Sequence, residues 1–124
     1  MKKQELIEII DQKIQNMGTP KVYHPKRLKP HWNSLKTDTE KLNLFEKYIS
    51  NPKVSKGFDS LLKAKLCSKT LEAIILETPE ASKHLSEDYT KVCEAKFKKY
   101  KSGKSFLQSL NEQADKGLEK AGFR

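Results

Sequence analysis

Three observations predict an all-α fold. Apolar residues recur at three- and four-residue spacing along nearly the whole chain. No alternating, strand-like stretch of useful length occurs outside residues 18–35. The breaks between periodic runs are short and carry Gly, Pro, or a Ser or Thr placed to cap the next helix. The expected architecture is a compact bundle of about six helices, forming a single helical domain over 1–124. One long, extended, proline-rich basic arm at 18–35 is expected between the first and second helices. A chain of 124 residues falls in the range of roughly 100 to 150 residues usual for one domain.

The first helix runs from Lys3 to Met17, because Leu6, Ile7, Ile10, Ile14 and Met17 fall on one face and Gly18-Thr19-Pro20 supplies a stop. The arm follows. Pro20, Pro25 and Pro30 each fix their own φ and push Thr19, His24 and Lys29 out of the α region, so the segment should be extended or polyproline-like. Val22, Tyr23, Leu28 and Trp32 give it apolar handles on the bundle.

Thr37 and Glu40 form a capping box for a second helix reaching Ser50, with Leu42, Phe45, Tyr48 and Ile49 inward and Asn51-Pro52 as its end. A third helix covers Ser55 to Leu66 with Phe58, Leu61, Leu62 and Leu66 inward. The fourth, Ser68 to Glu77, is apolar around nearly its whole circumference and should be the central one, leaving Lys69, Glu72 and Glu77 as its outward charges. Pro79 opens a short turn through His84. Ser86 then caps a long fifth helix with Tyr89, Val92, Cys93, Phe97 and Tyr100 inward. The sixth helix, Ser105 to Ala121, buries Phe106, Leu107, Leu110, Ala114 and Leu118 and closes at Gly122.

The chain carries a net charge of +9, almost entirely through Lys, since Arg27 and Arg124 are its only arginines. Lys is a hydrated point charge that suits phosphate backbones, whereas bidentate reading of a guanine edge favours Arg. The excess is local. Residues 18–32 hold four basic side chains and no acid, and the segments Asn51 to Cys67 and Ser86 to Lys104 each carry +3. Charge confined to three segments can converge on one face.

These features point to a non-catalytic nucleic-acid-binding protein, for DNA or RNA, with little base specificity. The candidate contacts are Lys21, Tyr23, His24, Lys26, Arg27, Lys29, His31 and Trp32 in the arm, and Lys91, Lys98, Lys99 and Lys101 on the fifth helix. Aromatic side chains of the arm would stack on unpaired bases while its cations hold phosphates. The competing role for Trp32 and Tyr23 is to pin the arm to the bundle. The alternative function is a helical interaction module, an adaptor, regulator or inhibitor whose arm docks on an acidic protein partner.

Other chemistries find less support. Lys101-Ser102-Gly103-Lys104-Ser105 has the end of a phosphate-loop pattern, but Lys98 stands where the earlier glycine is required and a helix precedes it, so it reads as a helix break and a new cap. A helix-turn-helix over Asp59 to Glu77 would place acids on its recognition helix. Glu80, His84 and Asp88 are spaced by four residues, as ion-paired surface residues also are, and no metal or cofactor is expected. No nucleophile is paired with a base by sequence alone. Cys67 and Cys93 match no redox or zinc spacing and read as buried thiols. The longest apolar run, Ala73 to Leu76, is far below the roughly 20 residues of a membrane span, and no apolar signal core follows Met1, so a cytoplasmic location without membrane attachment is expected.

Overall fold

A computed structural model describes residues 1–19 and 24–120, with side chains through Glu112. The helices among these residues are α1 (Lys3–Asn16), α2 (Leu28–Ser34), α3 (Asp38–Ser50), α4 (Lys56–Lys63), α5 (Leu71–Glu77), α6 (Thr90–Lys98) and α7 (Lys101–Lys120), with short 3-10 helices at Cys67–Lys69 and Pro79–His84. The all-α expectation holds. Helix α5 is central, packing on α1, α3 and α6, and its residues Leu71 to Ile75 are all buried. No helix among the described residues is long and apolar enough to cross a membrane.

The larger core cluster joins Leu6, Ile10 and Ile14 of α1, Phe45 and Ile49 of α3, Ile74 and Ile75 of α5, and Trp32. A second cluster gathers Phe58, Leu62, Cys67, Ala73 and Phe97, with Phe106 and Leu107 of α7 against it. Its rings pack at a tilt, Phe97 lying 5.1 Å from both Phe58 and Phe106 between centroids.

Several caps act as the sequence implies. The Glu40 N–H donates to Thr37 Oγ1 at 3.2 Å, and Ser55 Oγ accepts from the Phe58 N–H at 3.1 Å. Helix α5 begins two residues later than a cap at Ser68 would give, because Thr70 takes the capping role, accepting from the Ala73 N–H at 3.2 Å. Helix α4 stops at Lys63, where Leu66 N–H bonds back to the Leu61 carbonyl at 2.8 Å and Lys65 adopts a φ of 62°. Glycine is the usual occupant of that position, since a Cβ is strained there.

Three expectations are corrected. The arm is not extended throughout, because Leu28–Ser34 is helical. Pro30 falls in the first turn of α2, where a backbone N–H has no intrahelical partner to lose. Two polar ties seat α2 on α1: the indole N–H of Trp32 donates to Asp11 Oδ1 at 2.9 Å, and the Gln15 side-chain amide donates to Asn33 Oδ1 at 2.7 Å. The extended reading of Pro20 to Tyr23 lies outside the described residues.

Second, the expected long fifth helix is shorter. It starts at Thr90, after Asp88 Oδ1 takes the Thr90 N–H at 3.0 Å, and it ends at Lys98. Ser86 is engaged elsewhere, its N–H and hydroxyl both donating to the Glu46 carboxylate. Third, Gly103 does not break a helix. Helix α7 runs through it, and its missing Cβ lets α7 approach α6, because a Cβ there would lie 2.0 Å from the Phe97 carbonyl oxygen. The expected inward residues Ala114 and Leu118, and the stop at Gly122, lie outside the described side chains and residues.

Candidate functional site

Where α3 ends, Asn51 Oδ1 accepts the Lys53 N–H at 3.0 Å, an Asx turn that bends the chain toward α4. Between this turn, α4 and the start of α5 lies a cleft of about 280 Å³. Tyr48, Phe58, Leu61 and Leu71 form its walls, with Met17 and Leu28 on the side of α1 and α2. Lys47, Asn51, Lys53 and Ser55 are its exposed lining residues, and buried Thr70, Glu72 and Lys96 lie deeper.

The inner end of the cleft is an ion pair. Lys96 Nζ donates to Glu72 Oε2 at 3.1 Å and to the carbonyl oxygens of Tyr48 and Ile49 at 3.1 and 3.2 Å. An ammonium has three N–H donors, and all three of Lys96 are committed. Two of them satisfy carbonyls in the last turn of α3, where a helix leaves acceptors unpaired and a cation is favoured. Glu72, expected on the surface, is only 7% exposed. Its neighbours at Leu71, Ala73 and Ile74 are buried on every side of α5, so nothing short of a buried partner lets a carboxylate sit there. Burial pushes its carboxyl above the usual range, and the Lys96 charge opposes that shift.

The twelve residues singled out by sequence do not all gather here. His24, Lys26 and Lys29 border a shallow depression with Pro25, Pro30 and Asn33, and Arg27 and His31 are exposed beside them. Lys99 reaches the cleft's edge, its Nζ donating to the Pro52 carbonyl at 3.4 Å. Lys98 instead borders a separate hollow with Ile75, Pro79 and Leu107, Lys91 is exposed on α6, and Lys101 lies in a groove with Lys65 and Ser105. Lys21 and Tyr23 are outside the described residues. Of the two roles expected for Trp32, its placement is that of the pin: it is 1% exposed, its N–H is held by Asp11, and Lys41 Nζ sits 5.5 Å from its ring centre. It anchors the arm.

What converges is the three segments themselves. Each touches the cleft, the arm through apolar Leu28 alone and the Ser86 to Lys104 segment through Lys96 alone, so that Lys53 is the one exposed cation the three bring to its lining among the described residues. Lys47, Lys53, Tyr48, Glu72 and Lys96 escaped the sequence reading. Lys47 and Lys53 lie beside recognised signals, the apolar stripe of α3 and the Asn51-Pro52 stop. Glu72 and Lys96 are 24 positions apart and share no pattern.

The site offers binding groups more readily than reactive ones. Desolvation pushes the Cys93 thiol up to about 12 and raises that of Cys67, so neither is a ready thiolate. Tyr100 donates its hydroxyl to Asp59 and is pushed up to about 12 by desolvation and that carboxylate. Among the described residues no cluster of His, Cys, Asp and Glu could hold a metal ion. His84 Nε2 lies 2.9 Å from the Met1 carbonyl.

No known family profile matches this chain, and neither a curated protein nor a solved structure resembles it.

Proposed function

We propose that the protein binds single-stranded nucleic acid at this cleft, without catalysis. One observation carries the reading: a cleft with half-buried Tyr48 and apolar walls opens beside the exposed cations Lys47 and Lys53. Lys47 and Lys53 at its opening, with Lys99 held at the neighbouring Pro52 carbonyl, would neutralise backbone phosphates. Half-buried Tyr48 and the apolar walls would receive an unpaired base. A cleft recessed between helices suits a flexible strand better than a duplex, which needs a protruding helix or ribbon to enter its groove. Helix α5 is buried and α2, seven residues long, lies on α1.

Fluorescence polarisation with labelled single-stranded and duplex DNA and RNA, at low and near-physiological salt, tests this. Single strands should bind at least about tenfold more tightly than duplexes. Replacing Lys47, Lys53 and Lys99 together by Ala should flatten the log–log salt dependence by about 2, at roughly 0.7 for each phosphate no longer neutralised. Weak binding to all four ligands that vanishes with salt would contradict the proposal and turn attention to an acidic protein as the occupant.

A further inference from the structure

We propose that a groove between the α4–α5 connection and the start of α7 binds a phosphorylated small molecule by its phosphate monoester, independently of the strand-binding cleft. The groove has a volume of about 480 Å³, within the roughly 300 to 1,000 Å³ common for small-molecule clefts. It shares no lining residue with the cleft. Lys65 and Ser68 line one side, and Lys101, Ser105 and Ser109, spaced by four along one face of α7, line the other. Half-buried Phe106 and buried Cys67 add its apolar surface.

The cations of the groove are uncommitted, unlike their neighbours. Lys63 pairs with Asp59 at 3.1 Å, and Lys69 donates to the Asn16 carbonyl at 3.0 Å. Lys65 and Lys101 make no side-chain hydrogen bond or ion pair among the described residues, and the hydroxyls of Ser68, Ser105 and Ser109 are likewise open. Ser102 is spent differently, its Oγ donating to the Leu62 carbonyl at 2.5 Å and holding α7 against the end of α4. No Asp or Glu lines the groove among the described residues. Two ammonium groups and three hydroxyls around one space suit an anion of about two charges with several acceptor oxygens. A phosphate monoester is such a group, with a charge of about −1.5 to −2 at pH 7 and three terminal oxygens. A phosphodiester of a nucleic-acid backbone carries a single charge and is held less firmly.

The backbone at Lys65 points the same way. Its N–H bonds to the Leu62 carbonyl at 3.0 Å while the Leu66 N–H bonds to the Leu61 carbonyl at 2.8 Å, the helix ending whose left-handed position glycine usually fills. A lysine at φ 62° is strained where glycine is not. Fold stability alone favours glycine there, yet the side chain that glycine lacks is one of the two cations of the groove. Strain held at a residue that faces a cavity fits a binding role.

The test is a titration of the isotope-labelled protein, followed by amide NMR, with phenyl phosphate and with methyl phenyl phosphate, its singly charged diester. Phenyl phosphate should produce saturable shifts in Lys65 to Ser68 and Lys101 to Ser109, and the diester should bind on the order of tenfold more weakly. Lys65→Gly separates the groove from the fold: it should raise Tm by about 3 °C as the strain is removed, while weakening phenyl phosphate binding about tenfold. Lys101→Ala should weaken it by a similar factor. Shifts spread over lysines on every face, equal affinity for the two esters, or wild-type binding in Lys65→Gly would each overturn the proposal. None of these results bears on the cleft, whose ligand is a strand without a terminal phosphate monoester.

Discussion

Lys96→Ala should destabilise the protein by about 3 to 5 kcal/mol, the range for breaking a buried pair by removing one partner. The variant leaves Glu72 buried without its counter-charge and strips the Tyr48 and Ile49 carbonyls of their donor. Lys96→Met retains most of the volume and isolates the charge effect. The sign of its pH dependence follows from Glu72. A carboxyl whose folded-state pKa is raised stabilises the fold most when protonated, and that contribution is lost as pH rises through the folded value. Without Lys96 the shift grows, so the deficit of Lys96→Met relative to wild type should be smaller at about pH 5 than at about pH 8. Combining Lys96→Met with Glu72→Leu should recover much of the loss, as apolar replacement of whole buried pairs often does. Denaturant melts at the two pH values measure all three effects. A deficit in Lys96→Met that is constant with pH would mean Glu72 finds another partner.

Gly103→Ala should be the second most damaging single change. Its Cβ would lie 2.0 Å from the Phe97 carbonyl oxygen, 2.8 Å from the carbonyl carbon and 3.0 Å from the Cα, all backbone atoms that cannot rotate away. Helix α7 would have to withdraw from α6, pulling Phe106 from Phe97 and loosening the smaller core cluster. Alanine gains about 1 kcal/mol of helix propensity over glycine, but overpacking against fixed backbone should outweigh it with a net loss on the order of 3 kcal/mol. That corresponds to roughly 10 °C in Tm for a chain of this size. A thermal melt within a degree or two of wild type would show that the two helices do not meet closely at this point.

Much of the fold was legible from local rules. Apolar spacing located α1, α3, α4 and α5, and Thr37 and Ser55 marked helix starts that the hydrogen bonds bear out. What local rules missed depends on distant partners. The first-turn position of Pro30 permits a helix there, but α2 forms because Trp32 and Leu28, four residues apart, bury one face of it against the bundle. Gly103 reads as a breaker until the Phe97 carbonyl is known to lie beside it.

The same limit governed the candidate site. Charge counting marked three segments but could not say which of their cations face the cleft: Lys99 bonds to Pro52 beside it, whereas its neighbour Lys98 lines a different hollow. Adjacent helical residues point about 100° apart, so their destinations depend on packing rather than on composition. The Glu72–Lys96 pair joins α5 to α6 and became visible only when those helices were placed together.

Backbone amide NMR of the isotope-labelled protein, titrated with a short unlabelled single-stranded oligonucleotide, tests the location of binding most directly. The account predicts the largest shifts along Arg27 to Leu28, Lys47 to Phe58, Leu71 to Glu72 and Lys96 to Lys99. Shifts concentrated on Lys65 to Ser68 and Lys101 to Ser109, or spread evenly over lysines on every face, would contradict the assignment of the cleft as the binding site.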